Sequence, residues 1–238
     1  MDIESINIDE VDKVAQEYFE KERNFMLQQQ QYLKKYYDQY FPFERIYNWL
    51  SYSLKTKSGK DIKESDYFRR REISYIVKAR DGNDEFCLRH LCYHTPQEFR
   101  NDVINYNPLR IDIGPVCDRE PKVNKDQVQG VKAVAVEREF VIDIDLSDYD
   151  NIRTCCKGKK MCSRCWQYMV SAYKVLKRAL EEDFGFKHIL WVFSGRRGIH
   201  AWVCDERARL LENYIRKGLT AYLNISVGNE KADTLVKP

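Results

Sequence analysis

With 238 residues, 43% of them hydrophobic and 13% aromatic, the chain can bury a sizeable core as one large domain or two small ones. Forty Lys and Arg against 37 Asp and Glu leave a formal charge of only +3, so the overall balance does not mark a nucleic-acid-binding protein, and any basic surface must be local. No run of about 18 apolar residues occurs, and the acidic start MDIESINIDEVD lacks the basic and apolar regions of a secretory signal. A chain that is neither secreted nor membrane-spanning is expected, with its eight Cys as thiols or metal ligands in a reducing compartment.

Residues Ile8 to Tyr40, rich in Glu, Lys, Gln and Tyr with few breakers, predict a helix whose first part is an extension and whose Gln28 to Gln31 lie on a solvated face. FPFERIYNWL places Phe43, Ile46, Tyr47 and Leu50 at helical spacing behind a proline, the pattern of a helix start with a core-facing stripe. A polar, positively charged connection, Lys55 to Arg71, leads into EISYIVKA and EFCLRHLCY. These alternate as strands about a hairpin signal at Asp81 to Asn83.

A helix from about Pro96 to Ile104 follows, then NPLRIDIG, and then the strand in EFVIDIDLSDYD. Beyond a cysteine-rich loop, Trp166 to Phe184 carries Trp166, Met169, Val170, Tyr173, Leu180 and Phe184 on one helical face. HILWVF and IHAWVCD read as strands joined by a tight turn, and Glu206 to Leu223 as one helix ending near Asn224. Strands mixed with helices give α/β or α+β as the class. Cys87, Cys92, Cys117 and Cys204 sit in apolar segments and are expected in the core.

Three constellations can carry chemistry. Asp143 and Asp145 share one face of an otherwise apolar strand, with Cα atoms about 6.6 Å apart. Two buried carboxylates repel and resist desolvation unless a cation joins them, and oxygen ligands suit Mg²⁺ or Mn²⁺. The same pattern also fits an edge strand facing water, and DxD occurs in sugar-nucleotide transferases and nucleases as well.

In SGRRGIH, Gly195 and Gly198 allow a turn whose amides can approach an anion, while Ser194, Arg196 and Arg197 supply donors matched to phosphate and His200 follows on the strand. Alone it reads equally as a solvated hairpin. Beside the Asp pair it completes a nucleoside-triphosphate site. Cys155, Cys156, Cys162 and Cys165, in CCxxxxxCxxC, can form a Cys₄ zinc site. Lys157, Lys159 and Lys160 in that loop face either nucleic acid or solvent.

Taken together, VIDIDLSDYD, the CCxxxxxCxxCW knuckle, DFGFKHILWVFSGRRGIHAWVCDE and NPLRIDIG resemble the catalytic small subunit of the archaeal and eukaryotic replicative DNA primase, in detail closer to the eukaryotic branch. The resemblance runs from about Tyr32 to about Leu223. It implies a mixed α/β (α+β) primase fold, two β-sheets flanked by helices that form a cleft, with a zinc knuckle at 155–165. A helical extension, 1–31, would precede a catalytic domain over 32–238.

The implied activity is that of a DNA-directed RNA polymerase, making short RNA primers de novo on a single-stranded DNA template by two-metal nucleotidyl transfer. Mg²⁺ or Mn²⁺ would sit on Asp143 and Asp145, and Zn²⁺ on Cys155, Cys156, Cys162 and Cys165. Ser194, Arg196, Arg197 and His200 would grip the incoming ribonucleoside triphosphate. Asp112, in IDIG, would contact the ribose hydroxyls, and Arg89 would lie near the initiating nucleotide.

The implied partners are the large primase subunit, which carries an iron–sulfur cluster, and in eukaryotes the DNA polymerase α complex, in the nucleus. The family's third metal-binding aspartate lies beyond the segment that ends here at Pro238, so an N-terminal portion of a longer subunit is expected. The alternative is a catalytically incomplete primase-like module that binds a partner subunit or DNA.

Overall fold

The structure, a computed structural model, describes residues 8–52, 66–79, 84–124 and 132–224. The chain folds as two units, 1–135 and 136–238, and among the described residues no helix is long and apolar enough to cross a membrane.

The first unit is built on aromatic packing. Helix α1 (Ile8–Gln39) is anchored through its last turns, where buried Tyr37 donates its hydroxyl to the Pro108 carbonyl at 2.8 Å. Helix α2 (Phe43–Leu50) starts behind Pro42 and buries Phe43, Tyr47 and Leu50, as its spacing predicts. Their rings meet Phe68 of α3 (Asp66–Arg70) and Phe99 of α4 (Pro96–Tyr106) in tilted and edge-on pairs.

Helix α4 is bounded by its own sequence. The Thr95 hydroxyl accepts the Glu98 amide at 3.1 Å, and Asn107 takes the left-handed conformation at the other end.

The sheet of this unit centres on β1 (Arg71–Lys78), whose residues alternate buried and half-buried. It pairs antiparallel with β2 (Glu85–Leu91) and β3 (Arg110–Cys117). The expected Asp81 to Asn83 turn lies outside the described residues, as does most of the Lys55 to Arg71 connection, though Lys78 pairs with Glu85 as a hairpin requires.

The expectation that all four isolated cysteines are core is half right. Cys117 and Cys204 are buried, but Cys87 is exposed and Cys92 only partly covered. Cys87 pairs with Ile76, on the face opposite core Tyr75 and Val77, so period-two geometry turns it outward.

A short strand, β4 (Ala135–Glu137), leads into the second unit. There β5 (Phe140–Asp145), β6 (Ile189–Phe193) and β7 (Gly198–Val203) form an antiparallel sheet in the order β5-β7-β6. Phe140, Ile142 and Ile144 pack with Cys165, Met169, Ala172 and Leu176 of α5 (Ser163–Arg178) in one core.

Helix α5 continues as one π-helical turn, Ala179–Asp183, and stops at Phe184 before Gly185, which has φ +63°. Leu180, four residues after Leu176, shares its face and lies in the same core.

The single helix expected over Glu206 to Leu223 is broken into α6 (Glu206–Arg209) and α7 (Asn213–Leu223). Arg216 is the reason. Its guanidinium donates to the carbonyls of Ala208, Arg209 and Leu211, which then need no helical partners. The class is therefore mixed α/β with two antiparallel sheets, as expected.

Candidate functional site

The alternation that buries Ile142 and Ile144 turns Asp143 and Asp145 to the opposite face of β5, with their side chains 70% and 38% exposed. Strand β7 lies alongside in register, so that Asp143 faces His200 and Asp145 faces Gly198. His200 Nε2 is 3.2 Å from Asp143 Oδ1. Two candidate carboxylates and the candidate histidine thus share one surface.

The turn before β7 closes on itself. The Ser194 amide donates to the Gly198 carbonyl and the Gly198 amide to Ser194 Oγ, both at 3.0 Å. Gly195 has φ +88°, which L side chains rarely adopt. At Gly198 the constraint is space, since a Cβ would lie 2.6 Å from the Ile144 carbonyl oxygen.

This close approach lays Arg197 over the end of β5. Its carbonyl accepts the Leu146 amide at 3.2 Å, and its Nε donates to Asp145 Oδ1 at 2.6 Å. Arg196 is exposed on the same turn.

Asp145 Oδ1 also accepts the Ser147 amide at 2.8 Å and the Ser147 hydroxyl at 2.7 Å. Partial burial pushes this carboxyl's pKa up, but Arg197 and the two Ser147 donors together hold it below the ordinary carboxylate value. Arg197 is reciprocally held charged by Asp145. Oδ2 accepts no hydrogen bond among the described residues, so Asp145 stays ionised with one oxygen available to a cation. The donor set fits a hard divalent ion.

The other candidates belong to the first unit. Asp112 lies on β3 opposite Ser74, its two oxygens held by Arg110 Nε at 2.9 Å and Nη2 at 3.0 Å. Arg89 is exposed on β2, beside His90 with φ +60°.

The four knuckle cysteines converge. One sulfur from each of Cys155, Cys156, Cys162 and Cys165 lies within 4.8 Å of the others, and a tetrahedral zinc site with Zn–S of 2.3 Å needs separations of about 3.8 Å. Cys162 caps α5 and Cys165 ends its first turn, so the helix terminus itself sets two ligands. The Cys165 amide, and then the Cys155 thiol, hydrogen-bond to the Cys162 sulfur and bring its pKa down to about 6. That is the form a metal needs.

Two features were not read from the sequence. Ser147, two residues after Asp145, has the spacing of a local side-chain turn and could have been found that way. Arg153 carried no such signal. Its side chain is fully buried, and it donates to Asp150, to the Gly158 and Lys160 carbonyls at 3.2 and 3.1 Å, and to Cys165 Sγ at 3.8 Å. It ties the knuckle to the segment that follows the Asp pair.

A family model described as the DNA primase small subunit matches residues 142–237, which hold the Asp pair, the knuckle and the SGRRG turn. The chain is similar to the DNA primase small subunit. It is 44% identical over 196 residues to the DNA primase small subunit of Drosophila melanogaster, covering 82% of this chain and 41% of that protein.

To the same subunit of Caenorhabditis elegans it is 40% identical over 198 residues, 83% of this chain and 44% of that protein. The archaeal DNA primase small subunit PriS of Staphylothermus marinus is more distant, 27% identical over 194 residues, 71% of this chain and 49% of that protein. The likeness is thus to the eukaryotic branch. The chain spans about two fifths of the length of the Drosophila and Caenorhabditis relatives it matches.

Proposed function

We propose that this chain carries the nucleotide-binding and metal-binding half of a DNA primase small subunit, a DNA-directed RNA polymerase that makes RNA primers on single-stranded DNA for replication. The observation that carries this reading is the register of β5 against β7, which sets Asp143 and Asp145 beside His200 and the Arg197 turn on one exposed surface.

In this reading Asp143 and Asp145 hold Mg²⁺ or Mn²⁺, which when bound neutralises the triphosphate and lowers the pKa of an attacking 3′-hydroxyl. His200 orients Asp143 through its Nε2 contact. Ser194, the turn amides, Arg196, Arg197 and His200 bind the triphosphate oxygens, with the Arg197 guanidinium between phosphate and the ionised Asp145.

Asp112 is assigned to the ribose hydroxyls, where a hydrogen bond accepted from the 2′-OH favours ribonucleotides. Arg89 is assigned to the initiating nucleotide. Cys155, Cys156, Cys162 and Cys165 hold Zn²⁺ as a structural ion. The single-stranded template, the large subunit, the DNA polymerase α complex and a nuclear location belong to the same proposal, as does a catalytic domain over 32–238 preceded by an extension, 1–31.

Calorimetry of ATP and UTP binding with Mn²⁺, with Mg²⁺ and with chelator tests it, beside the Asp143→Asn, Asp145→Asn variant. Metal-dependent binding lost in the variant is expected. Metal-dependent binding retained in the variant would overturn the site assignment. Absence of binding in every condition would favour a primase-like docking module.

A further inference from the structure

Between Asp150 and Glu181 the sequence contains no Asp or Glu, although Lys and Arg recur through it. In a chain whose charges nearly cancel, this is a marked local excess. The fold concentrates it on one surface.

Lys157, Lys159 and Lys160 are exposed on the knuckle, and Arg164 is exposed in the first turn of α5. Lys174 lies ten residues further along the same exposed helical face, with Gln167 and Ser171 between them. At about 1.5 Å per residue that face runs about 15 Å beyond the knuckle. It ends where acids return, with Lys177 and Arg178 engaged by Glu181 and Glu182.

Two observations separate this surface from a merely solvated run of lysines. Buried Arg153 donates to the Gly158 and Lys160 carbonyls, so the loop that presents the lysines is anchored from beneath. Trp166, in the first turn of α5, meets Phe193 edge-on with centroids 5.6 Å apart, and Phe193 immediately precedes Ser194. The basic face therefore begins beside the turn that carries Arg196 and Arg197.

We propose that the knuckle and the exposed face of α5 form a track for the phosphodiester backbone of a nucleic acid strand. Fixed cations interspersed with the neutral hydrogen-bond donors Gln167 and Ser171 suit a regular line of phosphates. The choice of nucleic acid over another polyanion rests on the functional reading above; the charge of the face does not.

The test is fluorescence anisotropy of a labelled oligodeoxythymidylate, a labelled duplex and an RNA–DNA hybrid, without nucleotide or divalent metal, from about 50 to about 200 mM salt. The Lys157→Ala, Lys159→Ala, Lys160→Ala variant is expected to bind at least one of these about tenfold more weakly at the lower salt, with a salt slope flatter by about 2.

A variant with the same charge change elsewhere, Lys21→Ala, Lys34→Ala, Lys35→Ala, is expected to match the parent chain, and zinc content is expected to be equal in all three. The assay contains neither nucleotide nor divalent metal, so its outcome is independent of the nucleotide site, whose own test is the calorimetry above. Unchanged affinity and slope in the knuckle variant would overturn it. So would an equal loss in the α1 variant, or displacement of the oligonucleotide by polyglutamate as effective as by unlabelled DNA, which would point instead to an acidic protein.

Discussion

Arg197 donates Nε–H to Asp145 Oδ1 at 2.6 Å across 52 residues of sequence, so the loop assigned to the triphosphate and the strand assigned to the metal are one electrostatic unit. Removing the guanidinium has a pH signature. With its carboxyl held below 3.8, Asp145 contributes stability that is complete above its unfolded pKa, about 3.9. That contribution disappears as the pH falls through the lower folded value. In Arg197→Ala the folded pKa rises and the contribution shrinks. Urea midpoints of the two proteins measured from neutral pH to about pH 3 should differ most above pH 4 and converge in acid. The gap should be no more than about 1 kcal/mol, because the pair is partly exposed and screened.

The turn makes a steric prediction that ranks two glycines. In Gly198→Ala the new Cβ would be 2.6 Å from the Ile144 carbonyl oxygen, a backbone atom that cannot yield without shifting β5. Overpacking of this kind costs about 1–3 kcal/mol and would displace Asp145 as well. In Gly195→Ala the methyl meets nothing within 4 Å, and only the φ of +88° is strained, at about 1–2 kcal/mol. Both should lower the urea midpoint. Only Gly198→Ala should also weaken metal-dependent ATP binding by more than about tenfold, beyond what its stability loss explains.

What the sequence disclosed and what it withheld divide along a physical line. The Asp143 and Asp145 face, the α2 stripe and the SGRRG turn are local patterns, set by period and by glycine, and each stands where the pattern put it. The contacts that give the site its electrostatics are not local. Arg197 reaches Asp145 only because β7 pairs with β5 in one register, and Arg153 reaches Cys165 only because the knuckle folds back over it. The break between α6 and α7 likewise depends on Arg216 of α7 reaching back to the carbonyls of Ala208 in α6 and Leu211 in the break. Cys87 was misplaced for a related reason, since an apolar run does not say which of its faces the core will take.

The knuckle yields a chemical prediction. With zinc removed, Cys162 should be largely thiolate at pH 7, because hydrogen bonds to its sulfur bring its pKa down to about 6, while Cys156, hydrogen-bonded to Cys162, is pushed up to about 12. Brief iodoacetamide treatment of the chelator-stripped chain, followed by peptide mapping, should label Cys162 first among the four. With zinc bound, one ion per chain is expected by elemental analysis, and Cys162 should be protected. First labelling at Cys156 would contradict the arrangement.

Arg153 joins the knuckle to the segment that follows β5, and its loss should be felt at both ends. Its fully buried guanidinium holds Asp150, two loop carbonyls and the Cys165 sulfur, and Asp150 in turn accepts the Gly158 amide at 2.8 Å. Removing one partner of a buried ion pair costs about 3–5 kcal/mol, and the lower end applies because Asp150 retains some contact with water. Arg153→Ala should therefore lose about 3 kcal/mol in urea unfolding. It should also release zinc to a chromogenic chelator about ten- to a hundredfold faster, the scale on which outer hydrogen-bond partners tune a metal site. Arg153→Lys retains charge but cannot fork to the Gly158 and Lys160 carbonyls together. It should recover part of the stability and little of the zinc retention, and full recovery of both would show that charge alone holds the knuckle in place.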